Sequence, residues 1–282
     1  MIFTLYNQLI LSPTLLITGI LFLCLTGCGD RPPTAPSEFQ ELSSFLFEHM
    51  MDEDPQDLAL GLENLYQWVV DNHQSSSKGY VINQLTPEAM ASMGDGPTSL
   101  EIHGGAVTSS SAFPVIDNAR VLGVDNNVEA NGDAYLKYER IYYEDAECFA
   151  RQECFFLTAE SRAETDFAGL IEAKYNNELE FRWVDTSIGL VMIYRSRLKK
   201  RPELSISVVD IHRSYYLGIV LPGLPSDDTS KSLLFQGSWS AIDYKILPVS
   251  EDYAYEKLVE GLIDLAKATE AFLKKYYVDE DE

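Results

Sequence analysis

Cys148 and Cys154 stand six residues apart in "ECFARQEC" and bracket what reads as a turn. Thiols at that spacing can share a metal ion or close a disulfide. No further cysteine or histidine pair lies nearby to complete a zinc site, so the disulfide is the favoured reading, with the job of fixing a turn between strands. The four histidines, His49, His73, His103 and His212, show neither HExxH nor i,i+4 spacing, and neither a metal set nor a cofactor motif is expected. Asp210 and His212 are two apart in a predicted strand and therefore share a face. An aspartate that orients an imidazole is the start of a general-base pair, although strand geometry sets the two about 7 Å apart. The would-be nucleophile is missing, because "GSWSA" is not the G-x-S-x-G elbow. Ser75 and Lys78 in "SSSK" have the spacing at which a lysine can activate a serine, but neither S-D-N nor K-T-G accompanies them, and the stretch reads as the exit of a helix. "DNNVEANGD" alternates oxygen-bearing side chains as a calcium loop does. Ala130 occupies the position that needs glycine and Leu136 the one that needs a bidentate glutamate, so a hairpin turn using Asn131 and Gly132 explains it better.

These residues must be held by elements that the hydrophobic pattern outlines. In "SEFQELSSFLFEHM" Ser37 and Gln40 have capping-box spacing, and Phe39, Leu42, Phe45, Leu46 and Met50 recur at helical intervals, predicting a helix over about 38–50. Asp54 as a cap and Pro55 at the first turn open a second helix carrying Leu58, Leu62, Leu65 and Val69 and ending near His73. From 78 to 118 the pattern is irregular, with "SLEIHG" a short strand and "TSSSAFP" a loop. Between 119 and 247 it reads as successive strands, from "ARVLGV" and "AYLKYERIYY" to "SLLFQGSWSAIDYKIL". A last helix over 251–277, capped by Ser250, presents Leu258, Leu262, Leu265, Thr269, Phe272 and Tyr276 as its apolar stripe, widened by Val259, Ile263 and Ala266. The fold class is α+β: an N-terminal helical hairpin, an antiparallel meander of about six to eight strands, and a long C-terminal helix packed on the sheet. Residues 38–277 are expected to form one such domain, followed by an acidic tail at 278–282.

Forty-four acidic against 21 basic residues give a formal charge of −23, which repels phosphate backbones and excludes general nucleic-acid binding. The one basic cluster, "RSRLKKR" at 195–201, lacks an aromatic stacking platform and reads as a solvated hairpin end.

The amino-terminal stretch Leu15–Thr26 is apolar apart from two threonines, too short for a confident membrane span and the right size for a signal-peptide core. It ends in "LTGC", residues 25–28, which resembles the lipobox of bacterial lipoproteins. In that family the leucine stands three before the cysteine, the thiol receives a diacylglyceryl group, and cleavage follows on its amino side. The resemblance implies a signal peptide at 1–27, an acylated Cys28 at the start of the mature chain, and a Pro-rich tether to residue 37, "GDRPPTAPS". It implies a membrane partner through the Cys28 anchor and a place in the bacterial cell envelope at the outer membrane, an oxidising location that agrees with a Cys148–Cys154 disulfide.

The order of elements, helices, then a meandering sheet, then one long helix, resembles the helix-grip fold of START-like and Bet v 1-like proteins. In these a curved sheet wraps the last helix around an apolar cavity. Here two helices precede the sheet where the family has a strand followed by helices. The resemblance implies a non-enzymatic domain for an apolar ligand or an envelope protein partner; the alternative is an exported hydrolase using the Asp210/His212 pair.

Overall fold

The computed structural model describes residues 32–124, 128–132, 135–167, 171–226, 231–245 and 250–277. The predicted signal segment, Cys28 and the acidic tail lie outside them. The end of the Pro-rich stretch is tied to the domain: Thr34 N donates to Asp57 at 2.6 Å and Asn64 to the Pro36 carbonyl at 2.8 Å.

Helices α1 (Phe39–His49) and α2 (Gln56–Ser76) form the expected hairpin. The cap of α2 falls on Pro55, one residue later than expected and without a side-chain cap bond, while Asp54 just ahead of it accepts from Gln56 N at 3.0 Å. The capping box at Ser37 does not form. Glu38 takes the cap position without a side-chain bond, and Gln40 instead clamps strand β1 (Tyr80–Ile82), donating to the Val81 carbonyl and accepting from Asn83 N. Helix α3 (Pro87–Ala91) is a single turn capped by Thr86.

Strand β2 (His103–Ser111) runs straight through the stretch expected to be a loop, and "ARVLGV", expected to be a strand, lies in helix α4 (Val115–Gly123). Both differences have physical causes. The glycines and serines of β2 carry little β-propensity, yet the strand pairs over its whole length with residues 232–240, and its neighbours need its small side chains. A Cβ on Gly105 would stand 2.7 Å from Leu258 of the last helix. In α4, Ala119 and Leu122 pack on the sheet while Val121 turns toward the last helix, a helical division that a six-residue apolar run does not betray. A 3-10 turn, Val128–Asn131, follows in place of the expected hairpin.

The remaining elements are β3 (Tyr135–Tyr142), α5 (Ala146–Ala150), β4 (Phe156–Phe167), β5 (Ile171–Thr186), β6 (Gly189–Leu198), β7 (Glu203–Leu204), β8 (Val209–Pro222), β9 (Ser232–Tyr244) and α6 (Glu251–Tyr277). The nine strands are antiparallel throughout, in the order β1-β2-β9-β8-β6-β5-β4-β3, with β7 added beside β5. Strand β2, helix α4, the 3-10 turn, the meander and α6 therefore make a strand-first unit. The hairpin α1–α2 is a layer added to the other face of its sheet, and this accounts for the helices that precede it.

Alternation divides the side chains between two faces. The outer face carries Val184, Val191, Ile193, Leu217, Ile219, Leu221, Leu233, Phe235 and Trp239, packed against Leu42, Leu46, Phe47, Leu58, Leu62 and Leu65 of the hairpin. Polar contacts finish the seal. Arg195, 1% exposed, donates to the Phe47 carbonyl, to Ser92 Oγ at 2.7 Å and to Glu180 at 2.7 Å; Arg182 donates to the carbonyls of Met50 and Asp52 at 2.8 and 2.7 Å. These carbonyls end α1, where the helix leaves acceptors unused and its dipole is negative. Arg197 bonds Asp95 and Glu178. Two of the five basic residues of the presumed solvated cluster, Arg195 and Arg197, are thus structural, and Lys199, Lys200 and Arg201 at its end face water.

Ser250 caps α6, accepting from Tyr253 N at 3.2 Å. The buried stripe is Val259, Leu262, Thr269, Phe272 and Leu273, and Tyr276 is 41% exposed. Among the described residues no helix is long and apolar enough to cross a membrane.

Candidate functional site on the inner face of the sheet

Helix α6 does not lie across the middle of the inner face. It follows β2 and β9 and then leans on α4 and the 3-10 turn, where Phe272 and Leu273 meet Val121 and Ala130. Ser111 Oγ donates to Glu270 at 2.7 Å, and Thr269 Oγ1 to the Ala130 carbonyl at 3.3 Å. Helices α4 and α5 plug one end, with Phe149 against Phe181 and Trp183. The Cys148–Cys154 disulfide braces this plug, its Cα atoms 5.4 Å apart, and Trp183 Nε1 donates to the Phe149 carbonyl at 2.9 Å.

Between plug and helix the inner face turns small and hydroxylated. Ala159, Ser161, Ala163, Ala173, Ser196 and Ser238 alternate with the outer-face residues of β4, β5, β6 and β9. Such side chains fall well short of filling a layer about 10 Å thick. Rising from among them are Tyr135, Tyr138 and Arg140 of β3, Tyr175 of β5, Tyr194 of β6, Tyr216 of β8 and Gln236 of β9.

Tyr135, Tyr175 and Tyr216 lie so deep that burial pushes each hydroxyl above the ordinary phenol range, well above it for the last two. All three nevertheless keep surface that water can reach. Tyr175, with Tyr138 and Ala163, borders an open hollow among the described residues. The Tyr194 and Tyr216 hydroxyls are 2.9 Å apart, and Tyr175 donates to Tyr135 at 3.3 Å. Gly218 makes the first contact feasible, because the Tyr194 ring lies across it and a Cβ there would stand 2.2 Å from the ring. Arg140 Nε donates to the Tyr138 hydroxyl at 2.7 Å, and its guanidinium sits 5.0 Å from that ring and 5.9 Å from Phe181. Burial opposes its charge, but the hydroxyls of Tyr138 and Tyr142 outweigh burial and raise its pKa.

Gln236 at Oε1 and Nε2, Ser161 at Oγ and Thr165 at Oγ1 are buried without a partner in good hydrogen-bonding geometry. Gln236 is 1% exposed. Its amide and the Thr165 hydroxyl nevertheless stand close enough to the hydroxyls of Tyr216 and Tyr175, respectively, to offset part of the rise that burial causes there.

The pair Asp210 and His212 lies elsewhere, toward the start of β8. A register shift falls between Ile211 and Arg213, and the two side chains lean together, His212 Nε2 standing 3.9 Å from Asp210 Oδ2. Asp210 is also held by Arg201 at 3.3 Å and Lys245 at 3.6 Å. Among the described residues no serine, threonine or cysteine side chain bonds to His212, and its Nδ1 has no partner. Ser75 and Lys78 flank the end of α2, with Ser75 Oγ donating to the Asn72 carbonyl. Glu129 of "DNNVEANGD" is bonded to Lys275 and Tyr276; residues 125–127 and 133 of that stretch lie outside the described ones. No group of three or more metal-ligating side chains occurs among the described residues. That open hollow, of about 560 Å³, is lined by Lys137, Glu164 and Lys174, whose charges pair with one another, and also by Leu136, Tyr138, Ala163 and Tyr175.

None of Arg140, Tyr175, Tyr216 and Gln236 stood out in the sequence. The available signal was the period-two recurrence Tyr138, Arg140, Tyr142, which marks a single face; reading polar residues as solvent-facing hides it.

No family model and no curated protein matches the chain. Among solved structures the chain is similar to a START superfamily protein from Mycobacterium smegmatis, at 10% identity and TM-score 0.38, over 61% of this chain and 97% of that one. It is likewise similar to a STAR-related lipid transfer protein fragment from Xanthomonas axonopodis, at 13% identity and TM-score 0.42, over 70% and 92%. Likeness at this level says nothing of ligand or activity.

Proposed function

We propose that this protein is a lipid-anchored component of the bacterial cell envelope whose domain binds a small, largely apolar ligand between the sheet and α6, without catalysing a reaction on it. The observation that carries the binding part is the trio Tyr135, Tyr175 and Tyr216, deep in the molecule and still accessible. The hydrolase alternative draws no support from Asp210, whose carboxylate is shared among Arg201, Lys245 and His212.

The test is saturable binding of the apolar fluorophore N-phenyl-1-naphthylamine to the full chain. Ala163→Phe fills the hollow and is expected to weaken binding at least tenfold while leaving the fold intact. Fluorescence that rises without saturation, or equally in both proteins, defeats the reading. Anchoring rests on "LTGC" at residues 25–28. Two or more acyl chains on Cys28, at about 0.8 kcal/mol per buried methylene, hold a protein at a membrane durably. Cys28→Ala is expected to abolish labelling by radioactive palmitate in bacterial cells; unchanged labelling refutes the anchor.

A further inference from the structure

Exposed apolar side chains are common singly, but three large ones gather where β3 ends and the paired strand β4 begins. Tyr143, Phe155 and Phe156 are 61%, 47% and 41% exposed. Their backbone is fixed: Tyr143 N donates to the Thr158 carbonyl at 3.0 Å, Trp183 N donates to the Phe155 carbonyl at 2.9 Å, and the Cys148–Cys154 disulfide braces the loop that joins them. Rings held in water on a rigid frame add little to the fold, and little ordering cost remains when they are buried against something else.

The course of the chain identifies what these rings meet. The Pro-rich stretch, expected to act as a tether to residue 37, is already tied to the domain at Thr34 by Asp57 and at Pro36 by Asn64. Only residues 29–33 remain between Cys28 and the first tie, so however extended the chain, Cys28 stands no farther than about 20 Å from Thr34. Asp57 lies in the first turn of α2, and the connection just ahead of it also meets the aromatic corner. Arg182 donates to the Met50 and Asp52 carbonyls, and its guanidinium sits 4.7 Å from the Phe156 ring. The tie and the corner thus adjoin the same turn. Exposed acids, Asp52, Glu53 and Asp54 on that turn and Glu147 on the disulfide loop, disfavour anionic headgroups there and leave a zwitterionic surface as the compatible one. Resting on the reading of Cys28 as an acylated anchor, we propose that the domain lies against the lipid surface by this corner, with Tyr143, Phe155 and Phe156 in the interfacial layer of a predominantly zwitterionic bilayer. Aromatic rings with one apolar and one wet side are favoured in that layer.

The experiment places the protein extracted from bacterial membranes in phosphatidylcholine vesicles doped with a photoactivatable phosphatidylcholine, and maps the cross-linked peptides by mass spectrometry. Beyond the N-terminal peptide, cross-links are expected to concentrate on residues 143–156. Replacing both rings, Phe155→Ser with Phe156→Ser, is expected to lower those cross-links at least fivefold while labelling of the N-terminal peptide is unchanged. Should the double variant not fold, the wild-type map decides, with Tyr143→Ser, at an exposed position, as the second variant, expected to lower them at least twofold. Cross-links confined to the N-terminal peptide, spread evenly over the domain, or equal in wild type and variant overturn this proposal and leave the anchor standing. Absence of an acyl group from Cys28 in the same spectra overturns the anchor and this proposal with it.

Discussion

The two faces of one sheet are built on opposite rules. On the outer face every large side chain meets another, and the guanidinium groups of Arg182 and Arg195 end on carbonyls of the α1 terminus. On the inner face small residues alternate with tyrosines, and buried amide and hydroxyl atoms go unsatisfied. Both faces come from the same strands, often from adjacent residues: Phe235 is sealed in the outer core and Gln236 stands unpaired beneath it. The difference teaches that strand alternation separates a tightly packed layer from a looser, more polar one, the first supplying packing free energy that the second forgoes.

Alkali gives the most drastic way to break the contrast. Tyr135, Tyr175, Tyr194 and Tyr216 on the inner face all have hydroxyls raised by burial, and on the outer face burial brings Tyr215 up to about 12. A phenol whose folded pKa exceeds its unfolded value of about 10 keeps its proton longer in the folded state, so its stabilisation is complete below that value and is lost as pH climbs through the folded one. Phenolate absorbance is therefore expected to rise above pH ~10 in one step together with loss of near-ultraviolet circular dichroism. Gradual ionisation of these tyrosines with the fold intact contradicts their burial.

Next in size comes Arg195→Met. Removing the guanidinium strands Glu180 and the carbonyl of Phe47, and the expected loss is about 3–5 kcal/mol by urea denaturation. A loss under about 1 kcal/mol means that α1 is held by apolar contact alone. The smallest expected effect has the opposite sign. Gln236→Leu deletes a buried amide without partners and should gain about 1–3 kcal/mol in the same assay. Destabilisation by Gln236→Leu removes the distinction between the faces.

The sequence disclosed what repeats over long, strongly patterned segments. The α1–α2 hairpin was legible because Leu42, Leu46, Leu58, Leu62 and Leu65 keep a helical period, and the meander because its strands alternate. The spacing of Cys148 and Cys154 and their expected oxidising location pointed to the disulfide that the structure contains. Strand β2 was not legible, since "GGAVTSSS" has loop composition and becomes a strand only through β9 and the close approach of α6. The stripe of α6 was read correctly at Leu262, Thr269 and Phe272 and missed at its end. There the helix leaves the sheet for α4, burying Leu273 and releasing Tyr276. The inner face stayed hidden for a related reason. Tyr138, Arg140 and Gln236 are polar residues facing inward, and whether a polar residue faces water or a hollow depends on strand order, which local pattern does not specify.

The docking of α1 onto Arg195 and Trp239 also sets a schedule. Phe47 waits for Trp239, whose ring meets its own at 5.9 Å from nearly two hundred residues downstream. A ribosome adding about 5–20 residues per second needs some 10–40 s to bridge that gap. Through that interval the greasy side of the first hairpin has no sheet to cover it. A product truncated before β9 keeps that side uncovered and is expected to be cleaved by proteases and to aggregate more readily than the complete chain.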